Sequence, residues 1–185
     1  MTKKIYKVGV QIETPKGIVE ILEYINGYKT PDGKHIHPRA IIKFISTGTV
    51  MNVQCSNIKS GKISDYRTPT VYGVGYIGSE IKIPERGTII RRIYDLWANM
   101  LKRAYGGYKT SYIGVTVDVR WHSFTNFLNS VHELDGYEQW EKGENYHLDK
   151  DTKLIGNTVY GKTNCIFIPA FENVSDSSCR RWGKA

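Results

Sequence analysis

The chain has 185 residues, 40% of them hydrophobic, with 26 Lys plus Arg against 18 Asp plus Glu and a formal charge of +8. This apolar content suffices for one ordinary core or two small ones and excludes a disordered tail, while 18 Gly and 6 Pro exclude a collagen-like or linker-dominated chain. No stretch approaches the ~18 apolar residues of a membrane span, the opening MTKKIYKVGV has no apolar segment of signal-peptide type, and Cys55, Cys165 and Cys179 lack CxxC spacing; a soluble protein of a reducing interior is expected.

Residues 5–78 read as short strands. IVEILEYI (18–25), AIIKFIST (40–47) and VMNVQC (50–55) are rich in β-branched and aromatic residues, separated by the turn-like NGYKTPDG and TGT. NIKSGKISD then reads as a polar turn, and VYGVGYIGSE sets Gly73, Gly75 and Gly78 among Tyr72, Tyr76 and Ile77, a density that predicts tight turns or close backbone approach in a small barrel or curled sheet. This part is basic: residues 1–89 carry 13 Lys plus Arg against 7 Asp plus Glu, and residues 90–185 carry 13 against 11. A dispersed excess of this kind favours a polyanion through counterion release without demanding one.

The pattern changes at Pro84. From Thr88 to Tyr105, Ile90, Ile93, Tyr94, Trp97, Met100, Leu101 and Ala104 form one stripe of a helix that Gly106 and Gly107 stop. SYIGVTVDVRW predicts a strand over 112–119, and Phe124, Phe127, Leu128 and Val131 predict a second helix over 123–134 with Ser123 as its cap. Trp97 and Phe127 are expected in the core. HLDKDTKL, the turn region GNTVYGKTN and the apolar CIFIPAF then suggest a hairpin followed by a helix from about Pro169.

The densest group of proton-transfer and metal-ligating side chains runs from His147 to Asn173. In a strand, Asp149 and Asp151 would share a face while Leu148 and Lys150 pointed the other way, and two carboxylates on one side suit Mg²⁺. The same DxD also suits a hydrated turn with salt bridges. His35 and His37 have no third ligand nearby, His122 and His132 read as surface or packing residues, and the cysteines read as small buried hydrophobes, with Cys179 beside Arg180 and Arg181 the more reactive if exposed. No Walker loop, GxSxG or HExxH is present.

WANMLKRAY (97–105), YIGVTVDVRWHSFTNFL (112–128), YHLDKDTKLIGNTVY (146–160) and NCIFIPAFEN (164–173), in this order, resemble a group of bacteriophage HNH, or His-Me finger, homing-type endonucleases. TGTVMNVQCSNIKSGKISD and VYGVGYIG look like the N-terminal, strand-rich part of the same phage proteins. The resemblance implies a β-hairpin followed by a helix that binds one divalent ion, Mg²⁺ or Mn²⁺, and hydrolyses a phosphodiester in the cytoplasm of the infected host. It places Asp149 and Asn173 on the metal side and Asn164 as the brace that orients the base. The usual base histidine falls on Lys150 or is supplied by His147. Lysine, with a pKa near 10.4 against 6.5 for histidine, is a poor base at neutral pH and would instead clamp the phosphate, leaving His147 or Asp151 as base, with His147 preferred. His147 and Asp149 would stand about 6 to 7 Å apart along an extended strand.

The expected architecture is therefore α+β: a basic β-rich, DNA-contacting module (1–83), then a domain (84–185) with a helix and a C-terminal ββα element. Lys59, Lys62 and Arg67 in the module and Arg91, Arg92, Lys102 and Arg103 on the helix are candidate phosphate contacts. A non-catalytic DNA-binding protein on an HNH-like scaffold and a phage structural or interaction protein are the alternatives, and a dimer would help an enzyme that cuts both strands.

Overall fold

A computed structural model describes residues 6–107 and 110–172, apart from the Ser111 side chain. Asn173, Cys179 and the terminal RRWGKA lie outside the described residues. The fold is mixed α+β, and the chain divides between Thr68 and Pro69 into two units, each with its own hydrophobic core. Residues 69–83, read from the sequence with the first module, belong to the second unit: Val71, Val74, Ile77, Ile81 and Ile83 pack against its core.

Unit 1 contains β1 (Gln11–Thr14), β2 (Gly17–Ile25), a small hairpin of β3 (Tyr28–Lys29) and β4 (His35–Ile36), β5 (Arg39–Phe44), β6 (Val50–Gln54) and α1 (Cys55–Lys59). The long strands form one antiparallel sheet, β1-β2-β5-β6, whose edge strands β1 and β6 do not pair with each other, so the sheet is not a closed barrel. Strand alternation buries Ala40, Ile42 and Phe44 fully on one face while Arg39, Ile41 and Lys43 stay partly exposed on the other. In β2 a bulge between Ile21 and Glu23 interrupts the register and leaves Leu22 exposed. The segment expected as a polar turn begins as a helix, because Cys55 and Ile58, one turn apart, both bury in this core.

Unit 2 is built on α2 (Ile89–Tyr105), whose stripe runs as expected: Ile93, Trp97, Met100 and Leu101 are buried, and Thr88 caps the helix by accepting the Arg91 backbone N–H at 3.2 Å. α2 packs on α3 (Phe124–Ser130), with the Trp97 and Phe124 rings 5.5 Å apart and the Trp97 indole N–H donating to the Trp121 carbonyl at 2.7 Å. Ser123 caps α3 as expected, but the α-helix stops at Ser130, whose hydroxyl bonds back to the Asn126 carbonyl, and Val131–Glu133 tighten into a 3-10 turn. The strand expected over 112–119 shrinks to β7 (Thr116–Val117), since Thr110–Tyr112 and Val119–His122 are 3-10 turns and Asp118 caps the second through the Arg120 N–H. After α4 (Tyr137–Glu141) come β8 (Tyr146–Asp149), β9 (Val159–Tyr160) and β10 (Ile166–Pro169). β9 pairs in parallel with β7, β10 pairs antiparallel with β8, and the chain turns helical at residues 170–172. Among the described residues no helix is long and apolar enough to cross a membrane.

Candidate active site

The hairpin of β8 and β10 sorts the candidate residues by face. Leu148 pairs with Phe167, and both bury in the core; His147 pairs with Ile168 and Asp149 with Ile166 on the opposite face. His147 is exposed and its ring makes no hydrogen bond among the described residues, whereas Asp149 is half-buried at the last position of the strand. The two therefore share a face, as expected for His147 and Asp149 in an extended segment.

The other half of the DxD reading is corrected, because the strand ends at Asp149. Its Oδ2 accepts the Asp151 N–H at 2.8 Å, the Thr152 N–H at 2.7 Å and the Thr152 hydroxyl at 2.8 Å, which turns the chain away from the sheet. Asp151 falls in this turn and its Oδ1 accepts from the Lys150 ammonium. Lys150, 8% exposed, also donates to the Asn157 carbonyl at 3.1 Å and lies 5.8 Å over the Tyr160 ring. It is an internal brace of the 150–157 loop and does not aim at a surface-bound phosphate.

Asn157 completes that brace, its amide donating to the Lys150 carbonyl at 2.8 Å and to the Val159 carbonyl at 2.7 Å. The sequence gives Asn157 a place in a turn but no partner. Asn164 sits in the turn before β10, where its Oδ1 accepts from the Thr163 hydroxyl at 3.0 Å and its N–H donates to the Gly161 carbonyl at 3.1 Å. Cys165, fully buried beside it, accepts the Gly161 N–H on sulfur at 3.4 Å, and burial pushes its thiol up to about 12. This is the inert packing cysteine the sequence suggests. Ion pairs from Lys153 to Asp135 and from Lys162 to Glu133 tie this loop and the turn before β10 to the α3–α4 connection.

The basic residues of α2 are largely occupied. Arg92 donates to the Glu141 carbonyl at 2.9 Å and the Trp140 carbonyl at 2.7 Å and stacks 4.6 Å from the Trp140 ring. Arg91 pairs with Asp95 at 3.0 Å, and Arg103 lies against Tyr160, where it partly offsets the burial that raises that phenol to about 12. Lys102, exposed on α2, also has an intramolecular interaction. In unit 1, Lys59, Lys62 and Arg67 are all exposed.

Among the described residues no three His, Cys, Asp or Glu side chains converge as a cation site. Of the expected metal-side residues only Asp149 falls among the described residues, where its Oδ1 carries no hydrogen bond to any of them while Oδ2 is held by three donors. A carboxylate presented this way suits Mg²⁺, which commonly takes one or two protein carboxylates and completes its shell with water and substrate phosphate. No family model matches the chain, and neither a curated protein nor a solved structure matches it.

Proposed function

We propose that unit 2 is a metal-dependent DNA endonuclease with a ββα catalytic element related to the His-Me finger, and that unit 1 holds the DNA. The observation that carries this reading is the β8–β10 hairpin leading directly into a helical turn at 170–172, with His147 and Asp149 side by side on its outer face. A divalent ion held by Asp149, with Asn173 as a further ligand, would supply Lewis-acid polarisation of the phosphodiester. His147, exposed and two residues from Asp149, takes the proton of the attacking water on a ring nitrogen. The three turn donors on Asp149 Oδ2 keep the carboxylate in one orientation, and the Lys150–Asp151–Asn157 brace holds the loop that follows. Asn164 steadies the turn entering β10.

Incubation of supercoiled plasmid with the intact chain and Mg²⁺ or Mn²⁺ tests this. Nicked or linear product is expected, abolished by Asp149→Ala and reduced about 10²- to 10⁴-fold by His147→Ala. Intact plasmid at all metal concentrations overturns the proposal. A second reading, DNA binding without catalysis, draws on the lack of a three-ligand set among the described residues. It predicts salt-sensitive DNA retention with no cut.

A further inference from the structure

Three turns distant in sequence meet at one end of unit 1: the β1–β2 turn at 14–17, the β5–β6 turn at 45–49, and the segment 60–67 that follows α1. Two contacts define the convergence. A Cβ on Gly61, whose φ is +68°, would lie 3.0 Å from the Pro15 ring, so the turn after α1 rests on the β1–β2 turn. The Asp65 carboxylate, 9% exposed, accepts from the Thr47 hydroxyl, from the Thr49 hydroxyl at 2.7 Å and from the Arg67 N–H at 2.8 Å, which pins 60–67 to the β5–β6 turn. Asp65 is thus consumed internally, and its charge is turned inward.

What faces outward is basic. Lys16 on the first turn, Lys59 at the end of α1, and Lys62 and Arg67 on the third segment are all exposed, with Glu13 on the adjoining strand as their acidic neighbour. Arg39, by contrast, is spent on Asn52 through two hydrogen bonds of 2.7 Å. Lysines on turn tips are point charges on flexible stems, suited to phosphate oxygens rather than to bidentate base reading. Single-strand binding leans on exposed aromatic platforms, and the exposed large side chains near this end are Ile18, Ile45 and Val50, while Tyr28 belongs to the β3–β4 hairpin.

We infer that this end of unit 1 grips the sugar-phosphate backbone of duplex DNA without reading its sequence, through Lys16, Lys59, Lys62 and Arg67. The inference rests on the endonuclease reading and gives it a holding surface; Lys16 joins it only because the fold brings its turn beside Gly61.

The test is equilibrium binding of the full chain, without divalent metal, to two unrelated short duplexes between about 50 and about 200 mM salt. The variant K16A/K59A/K62A/R67A should weaken both duplexes equally and flatten the slope of log affinity against log salt by about 0.9 per lost contact, about 3.6 in all. Lys16→Ala and Lys62→Ala alone should each flatten it by about 0.9. K29A/K34A, which removes charge at the β3–β4 hairpin, should leave the slope unchanged. An unchanged slope in the four-site variant, an equal loss in K29A/K34A, or failure of the intact chain to bind duplex overturns the inference. So does loss of binding to phosphatidylserine vesicles with the DNA slope preserved, which would mark a lipid surface. Plasmid cleavage reads the other proposal separately: cleavage with an unchanged slope removes only the grip, and a flattened slope with no metal-dependent cleavage by the intact chain removes only the nuclease.

Discussion

Gly75 lies where the backbone closely meets the core of unit 2. A Cβ there would overlap Leu101 Cδ1 and stand 3.0 Å from the Trp97 indole, and both side chains are fully buried, so neither yields cheaply. Gly75→Ala is expected to destabilise unit 2 by about 1–3 kcal/mol, read from urea unfolding. Cys165 gives a pH prediction. Its thiol rises from 9.0 to about 12 in the folded chain, so between these values the unfolded chain releases a proton that the folded chain keeps. Stability contributed below pH 9 is therefore lost as pH climbs, by up to about 1.4 kcal/mol per pH unit. Burial of Tyr160 and Tyr137, raised from 10.0 to about 12, adds to the loss from pH 10 upward. Cys165→Ala should flatten the stability profile between pH 9 and 10, measured by urea unfolding at each pH; an unaltered profile would falsify the burial argument. Glycine spacing and the cysteine's apolar setting were visible in VYGVGYIG and NCIFIPAF, but which atoms they meet was not.

At the scale of elements, Arg92 separates a structural role from a binding one. Its guanidinium closes the last carbonyls of α4 and covers Trp140, so it ties α2 to α4. Arg92→Ala should cost about 1 kcal/mol in unfolding, lysine should not restore it because it lacks the planar fork, and the salt slope of DNA binding should stay as it is. A flattened slope would return Arg92 to the phosphate contacts. The α2 stripe, the serine cap of α3 and the C-terminal hairpin were legible because amphipathic period and capping residues are local signals, whereas the Thr88 cap of α2 came from the structure. The strand over 112–119 was not, since Asp118 capping the next turn cuts it to two residues. The helix at Cys55 was hidden by polar neighbours, its reason being burial of Cys55 and Ile58 against a sheet contributed by other segments.

On the scale of the whole chain, the two cores predict two unfolding events. Trp97, Trp121 and Trp140 all lie in unit 2, so in a Trp182→Phe chain tryptophan fluorescence follows unit 2 while far-ultraviolet circular dichroism follows both units. The two transitions should not coincide in urea, and exact overlay would show a single cooperative body. The boundary moves from the expected 83/84 to 68/69 because Val71, Val74, Ile77, Ile81 and Ile83 recur without a strong period, and only their packing against the α2 core assigns them.

By itself the amino-acid order determined the α+β class, the basic N-terminal part, the α2 face and the common face of His147 and Asp149, because each follows from local period, composition or spacing. Tertiary structure alone decided that Asp151 and Lys150 pair with each other, that Arg92 caps α4, and that Lys16 joins Lys59, Lys62 and Arg67 at one end of unit 1. The partner of a long charged side chain depends on which distant backbone arrives beside it.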